Sequence, residues 1–284
     1  MIRPSRSSLF VPGNRSAWIE KAAGYGADTL ILDLEDSVPD QEKAPARAIV
    51  KAGLQMLKAK GQAAGVRING FATGLTLDDL EGIFCPELES VNLPKVETVA
   101  DMNELDALLT HLERRMGLPV GHVETPLGCE TAKAMRNIYE IATSCRRVKR
   151  VGLAAGPGGD AARAIGYQWT KEGTETLFLR SKAVLDARAA GIQYPTISSW
   201  WNIKDIEGLE RDARWNRQLH DGLIAHGPDA FRLNKRPATS QEQMPIKIRM
   251  RRHLNVTATR HRGQSLREID NRIRIRGDKI TRAG

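Results

Sequence analysis

Apolar stretches that each run into a charged or polar residue recur along this chain, and between them lie segments with apolar residues at helical spacing. This alternation is the strongest constraint on the fold, because a strand–helix–strand rhythm calls for a parallel sheet with crossover helices. Thr29-Leu-Ile-Leu-Asp-Leu-Glu-Asp36 is the clearest case, an apolar run that ends in three acids. Gly65-Val-Arg67-Ile-Asn69, Val91-Asn-Leu-Pro-Lys95, Val120-Gly-His-Val-Glu124 and Val151-Gly-Leu-Ala-Ala-Gly-Pro-Gly-Gly-Asp160 repeat the pattern. Strands are predicted over 8–11, 29–34, 65–68, 90–94, 120–124, 150–154, 194–198 and 223–226, and helices over 16–24, 42–60, 99–115, 129–144, 177–190 and 206–218. Eight such units match a (β/α)8 TIM barrel, in which catalytic groups come from the carboxyl ends of the strands. The competing doubly wound sheet lacks support: no G-x-G-x-x-G follows the first strand, and no P-loop pattern is present.

The 284 residues, 41% of them hydrophobic, are enough for one large core. The helix-then-strand rhythm stops near Asn234, which divides the chain into a barrel domain over 1–234 and a basic C-terminal extension over 235–284. The net charge of +9 is concentrated there: residues 245–284 hold 12 bases and 3 acids, leaving 31 of each from the totals of 43 and 34. A neutral body with a cationic tail weighs against a nucleic-acid enzyme and leaves tail-mediated polyanion binding as a separate possibility. Cys85, Cys129 and Cys145 have no metal-site spacing and form an odd set, so a reducing cytoplasm is expected. No stretch approaches the roughly 20 apolar residues that span a bilayer, so no membrane association is expected.

Glu124 and Asp160 fall at the predicted ends of successive strands. Paired carboxylates with no nearby His or Cys suit a hard cation such as Mg2+; the plainer reading has both acids capping the helices that follow. The glycines of Gly156-Pro-Gly-Gly159 would let backbone approach a ligand just before Asp160. Arg67 lies in an otherwise apolar strand, where its planar fork suits a substrate carboxylate or, alternatively, a salt bridge to Asp33, Glu35 or Asp36. Asp33 and Glu35 lie two apart and should share a face, supporting a metal or its waters. Lys95 is expected to give electrostatic support rather than to act as a nucleophile, since nearby carboxylates would keep it charged. His226 reads best as a packed histidine and Trp200-Trp201 as a seal at the rim.

These residues, in this order, resemble the citrate lyase β-subunit-like branch of the HpcH/HpaI aldolase family. The resemblance runs through Arg6-Ser-Ser-Leu-Phe-Val-Pro-Gly-Asn-Arg15, Ile31-Leu-Asp-Leu-Glu-Asp-Ser-Val-Pro39 with Glu42-Lys-Ala44, Val66-Arg-Ile-Asn69 and Leu93-Pro-Lys-Val96. It continues in Glu124-Thr-Pro-Leu-Gly128, Gly159-Asp160, Arg180-Ser181 and Asp205-Ile-Glu-Gly-Leu209, and covers about residues 3–210. It implies a TIM-barrel homo-oligomer, a trimer or hexamer, that uses Mg2+ to cleave a carbon–carbon bond in a β-hydroxyacyl-CoA of the citramalyl, malyl or citryl type. By motif, Arg67 would bind substrate, Glu124 and Asp160 the metal, with Glu124 also close to substrate; Asp33, Glu35, Asp36 and Lys95 would support them. Two alternatives stand beside this: a pyruvate-forming aldolase acting on free hydroxy-keto acids, and an impaired barrel whose tail binds polyanions. The family's C-terminal lid carries an acid for which Asp270 is the nearest counterpart here, so the extension departs from the family pattern.

Overall fold

The computed structural model describes residues 7–225 apart from positions 154, 157, 193, 194, 201, 203, 220 and 221, with backbone alone at 197–200 and 222–225. Trp201, His226, Asp270 and the whole of the extension over 235–284 lie outside the described residues, as does the side chain of Trp200.

Eight strands form one sheet: β1 (Ser7–Pro12), β2 (Thr29–Asp33), β3 (Ala63–Arg67), β4 (Ser90–Asn92), β5 (Leu127–Cys129), β6 (Val151–Leu153), β7 (Thr196–Trp200) and β8 (Gly222–Ala225). Their order is β4-β3-β2-β1-β8-β7-β6-β5, and every pairing is parallel. A further parallel bridge joins Ser90 to Glu124, with Val91 N donating to Glu124 O at 2.8 Å and Glu124 N to Glu89 O at 2.9 Å. β2 is buried at every position, as expected of a parallel strand covered on both faces.

The connecting helices are α1 (Ser16–Ala22), α2 (Asp40–Ala59), α3 (Thr76–Ile83), α4 (Val99–Arg115), α5 (Ala132–Arg136), α6 (Ile138–Ser144), α7 (Asp160–Ile165), α8 (Leu177–Ala189) and α9 (Ile206–Gln218). Their apolar stripes face the sheet. α2 buries Ala46, Val50, Gly53, Leu54 and Leu57, and α4 buries Met102, Leu105, Leu109 and Leu112. Thr98 starts α4 with a full capping box, accepting from Asp101 N while the Asp101 side chain takes the Thr98 N–H. No helix among the described residues is long and apolar enough to cross a membrane. All three cysteines are buried and free.

The strand expected over 120–124 is displaced in the structure. Buried Glu113 of α4 accepts Gly121 N and Val123 N, both at 2.9 Å, and is itself held by Arg147 at 2.6 and 2.7 Å. These bonds use N–H groups that a strand would offer to a neighbour, so 119–122 closes as a turn with Val120 57% exposed. The fifth strand forms after Pro126 instead. The expected helix over 129–144 likewise starts later, at Ala132, and breaks at Asn137; α3, too short to stand out by periodicity, was not expected.

Candidate active site

Register aligns the functional residues at one level. Asp33 lies opposite Arg67, and Arg67 opposite Asn92, at the carboxyl ends of β2, β3 and β4. They face a cavity of about 570 Å³ that also reaches Glu130 beyond β5 and Asp160 beyond β6.

Arg67 is the hub. Its Nε and Nη2 donate to the two carboxylate oxygens of Asp33 at 2.7 and 2.8 Å. Its Nη1 reaches Glu35 at 2.9 Å and Asp36 at 3.4 Å, and the guanidinium lies 5.0 Å over the Phe10 ring. The salt bridges expected of Arg67 are thus present, and they are compatible with a role in gripping a ligand. Asp33, 1% exposed, also accepts Glu35 N at 3.0 Å, Ser37 N at 3.1 Å and Ser37 Oγ at 2.5 Å. Burial pushes its carboxyl up, but the Arg67 and Ser37 bonds outweigh that and hold it below the usual range. Glu35 shifts the other way: burial raises it, with Asp36 and Asp33 adding to the rise against the pull of Arg67.

Beneath this cluster is a buried polar network not foreseen from the sequence. Lys43 Nζ donates to Leu34 O at 3.0 Å, Glu35 O at 2.9 Å and Asn69 Oδ1 at 2.7 Å. Asn69 in turn donates to Asp79, which also receives Arg47 Nε at 2.8 Å. The Leu34 and Glu35 carbonyls, just past the end of β2, are fixed by this lysine, while Leu34 N donates to Arg67 O at 2.8 Å.

Lys95 follows β4 with φ +55°, a left-handed conformation unusual for a side chain larger than glycine. Its ammonium lies 3.4 Å from Glu35 and its backbone N–H donates to Glu130 at 3.3 Å. Burial lowers the Lys95 pKa, yet Glu35, Asp160 and Asp36 raise it further, so the amine stays charged and unsuited to nucleophilic attack.

Glu124 does not join the cluster. It stands three residues before β5, at the opposite end from Asp160, and bonds Arg150 Nη2 at 3.0 Å. The displaced fifth strand is the cause, since Glu130 now occupies the position past the strand end. Burial, with Glu35 and Asp160 adding to it against the pull of Arg67, pushes its carboxyl up to about 7. A repeated dipeptide held the signal: Glu124-Thr125 leads into Pro126 and a strand, while Glu130-Thr131 leads into a helix that Thr131 caps through Ala134 N at 3.1 Å. Asp160 likewise opens α7, so both acids sit at strand-to-helix junctions. Gly158, with φ +66°, shapes the turn before it.

Glu130 and Asp160 fit a hard divalent cation. Three carboxylates, counting Glu35, crowd a site where burial already opposes charge, and a cation relieves that repulsion. Among the described residues no group of three or more His, Cys, Asp or Glu is placed to hold a metal ion, so Glu130 and Asp160 alone would hold the cation and leave its other positions to water. Two buried polar atoms in the cavity wall have no protein partner, Asn92 Oδ1 and Arg150 Nε.

The profile of the HpcH/HpaI aldolase/citrate lyase family matches residues 6–219. The chain belongs to this family. Among its relatives, citrate lyase subunit beta of Leuconostoc mesenteroides subsp. cremoris is 35% identical over 245 residues, 85% of this chain and 80% of that one. A (3S)-malyl-CoA thioesterase of Cereibacter sphaeroides is 29% identical over 274 residues, 95% of this chain and 89% of its own length. The CitE protein of Mycobacterium tuberculosis, solved with magnesium, acetoacetate and coenzyme A, has a TM-score of 0.61 and 25% identity, covering 80% of this chain and 78% of that one. As a member of the HpcH/HpaI family the chain is an enzyme of the carbon–carbon lyase type.

Proposed function

We propose that this HpcH/HpaI family member is a Mg2+-dependent lyase that cleaves a β-hydroxyacyl-CoA of the malyl type, with its strands closed into a (β/α)8 barrel. The Ser90–Glu124 bridge, which links β4 at one edge of the strand order to the segment entering β5 at the other, supports closure. The observation that carries the function is the juxtaposition of Glu130, Asp160 and Arg67 around one cavity, with the Lys95 backbone bonded to Glu130 and its ammonium close to Glu35 and Asp160.

Glu130 and Asp160 would hold the cation, which when bound stabilises negative charge on an enolate oxygen. Arg67, locked by Asp33 through Nε and Nη2, keeps Nη1 on Glu35 and Asp36, and a ligand carboxylate would take the place of these weaker contacts. Lys95 adds a second fixed positive charge near the developing anion. Cleavage of malyl-CoA breaks the bond between the hydroxyl-bearing carbon and the methylene next to the thioester. The hydroxyl proton leaves, the oxygen becomes the carbonyl of glyoxylate, and the methylene carbon is protonated to give acetyl-CoA.

The thioesterase relative favours a second reading, thioester hydrolysis, whose products are malate and free CoA. Incubation of the protein with malyl-CoA and Mg2+ separates the two. Glyoxylate and acetyl-CoA in equal amounts, lost in Glu130→Gln and Asp160→Asn, are the expected result; malate with free thiol would establish hydrolysis, and turnover unaffected by chelator or by both substitutions would exclude the metal-dependent reading.

A further inference from the structure

Asn92 is the last residue of β4 and shares its inward face with Ser90. Its backbone is spoken for, with the carbonyl accepting Ile68 N at 3.1 Å. Its side chain is not: Oδ1 is buried in the cavity wall without a partner. A buried acceptor left unpaired costs free energy comparable to a lost hydrogen bond, so its persistence beside a binding cavity points to a partner supplied by the ligand. In the closed barrel proposed above, the residue would stand between Arg67 on β3 and Glu130 after β5; both line the same cavity as Asn92.

The chemistry of that partner follows from the atom. An amide oxygen accepts and has no proton to give. The carboxylate and thioester oxygens of the proposed substrates only accept, so they offer Oδ1 nothing. The hydroxyl on the carbon that becomes the carbonyl is the one donor in that part of such a molecule. We infer that Asn92 is a specificity-determining residue that accepts a hydrogen bond from the ligand's hydroxyl and thereby selects hydroxyacyl thioesters over their deoxy counterparts. The inference rests on the lyase reading and names the substrate feature that this site recognises. After cleavage the same oxygen is a carbonyl with no proton to donate, so the Asn92 contact also distinguishes substrate from product.

The test compares malyl-CoA as substrate with succinyl-CoA, which lacks only the hydroxyl, as competitive inhibitor, in the wild type, Asn92→Leu and Asn92→Ala. In both variants KM for malyl-CoA is expected to rise about three- to tenfold, the worth of one neutral hydrogen bond, while the inhibition constant of succinyl-CoA changes less than about twofold. Both constants moving together, neither moving, or loss of the folded state in both variants, read from thermal unfolding, would assign Asn92 a structural role and overturn the inference alone. Wild-type protein that neither cleaves malyl-CoA nor binds succinyl-CoA would overturn the lyase reading and this inference with it.

Discussion

Asp33 holds Arg67 with both carboxylate oxygens, at 2.7 and 2.8 Å, and so fixes the guanidinium at the mouth of the cavity. Both partners are largely buried, with side chains 1% and 16% exposed. Removing Asp33 leaves Arg67 with the Glu35 and Asp36 contacts alone, and loss of one partner from such a buried pair costs about 3 kcal/mol. Asp33→Ala is therefore expected to lower the thermal midpoint by roughly 10 °C and to abolish turnover, read by circular dichroism and by product formation.

The same pair sets an acid limit on stability. Despite burial, the Asp33 carboxyl is held below its ordinary value of 3.8 by Arg67, so its contribution is present above that value and is lost as pH falls through the depressed folded value. Glu113, lowered by Arg147 and by the Gly121 and Val123 amides against burial, acts in the same direction. Denaturant unfolding of the wild type should weaken steeply below about pH 4. Asp33→Asn should show a shallower acid slope; an unchanged slope would count against the pair.

Glu130 behaves oppositely. Burial lifts its carboxyl from 4.5 to about 7, so a folded metal-free protein retains a proton there that the unfolded chain releases. Its favourable contribution is present below 4.5 and is lost as pH rises through about 7. Magnesium binding should accordingly release a proton at pH 6 and almost none at pH 8.5. Calorimetry in two buffers of different ionisation enthalpy measures this directly, and equal proton release at both values would contradict it.

Lys43 is buried with three acceptors around its ammonium. Lys43→Met keeps the length of the side chain and leaves Leu34 O, Glu35 O and Asn69 Oδ1 without that donor, at a cost of about 3 kcal/mol or more. Because the lysine fixes the loop that carries Glu35 and Asp36, kcat/KM should fall along with the thermal midpoint. A variant of wild-type activity would show that the loop is held by other means.

Lys95 separates stability from activity. A left-handed conformation in a non-glycine residue costs about 1 kcal/mol, which glycine avoids. Lys95→Gly also removes the ammonium beside Glu35, so the midpoint is expected to hold or rise while kcat falls at least tenfold.

How legible the site was depended on what each residue needed from its surroundings. Asp33, Arg67, Lys95 and Asp160 were readable because a charged residue closing an apolar run is a local signal; Asp33, Arg67 and Asp160 line one cavity, and the Lys95 ammonium lies 3.4 Å from Glu35. α4 was readable to both ends because its apolar spacing and Thr98 cap are contained within the segment. Glu130 was missed for a non-local reason. Val120-Gly-His-Val reads as a strand until Glu113, anchored by Arg147 from a distant loop, takes two of its amides. That displacement moved the strand, and with it the identity of the acid at the strand end. Lys43 was hidden for a similar reason, since a lysine on a helix reads as solvated until the tertiary structure supplies three buried acceptors.

The exchange of Glu124 for Glu130 is open to one direct measurement, calorimetric titration of Mg2+ at pH 8 into the wild type, Glu130→Gln and Glu124→Gln. Saturable uptake by the wild type and by Glu124→Gln, with none by Glu130→Gln, is the expected result. Uptake that survives in Glu130→Gln but vanishes in Glu124→Gln, or no uptake by the wild type, would contradict the site as described.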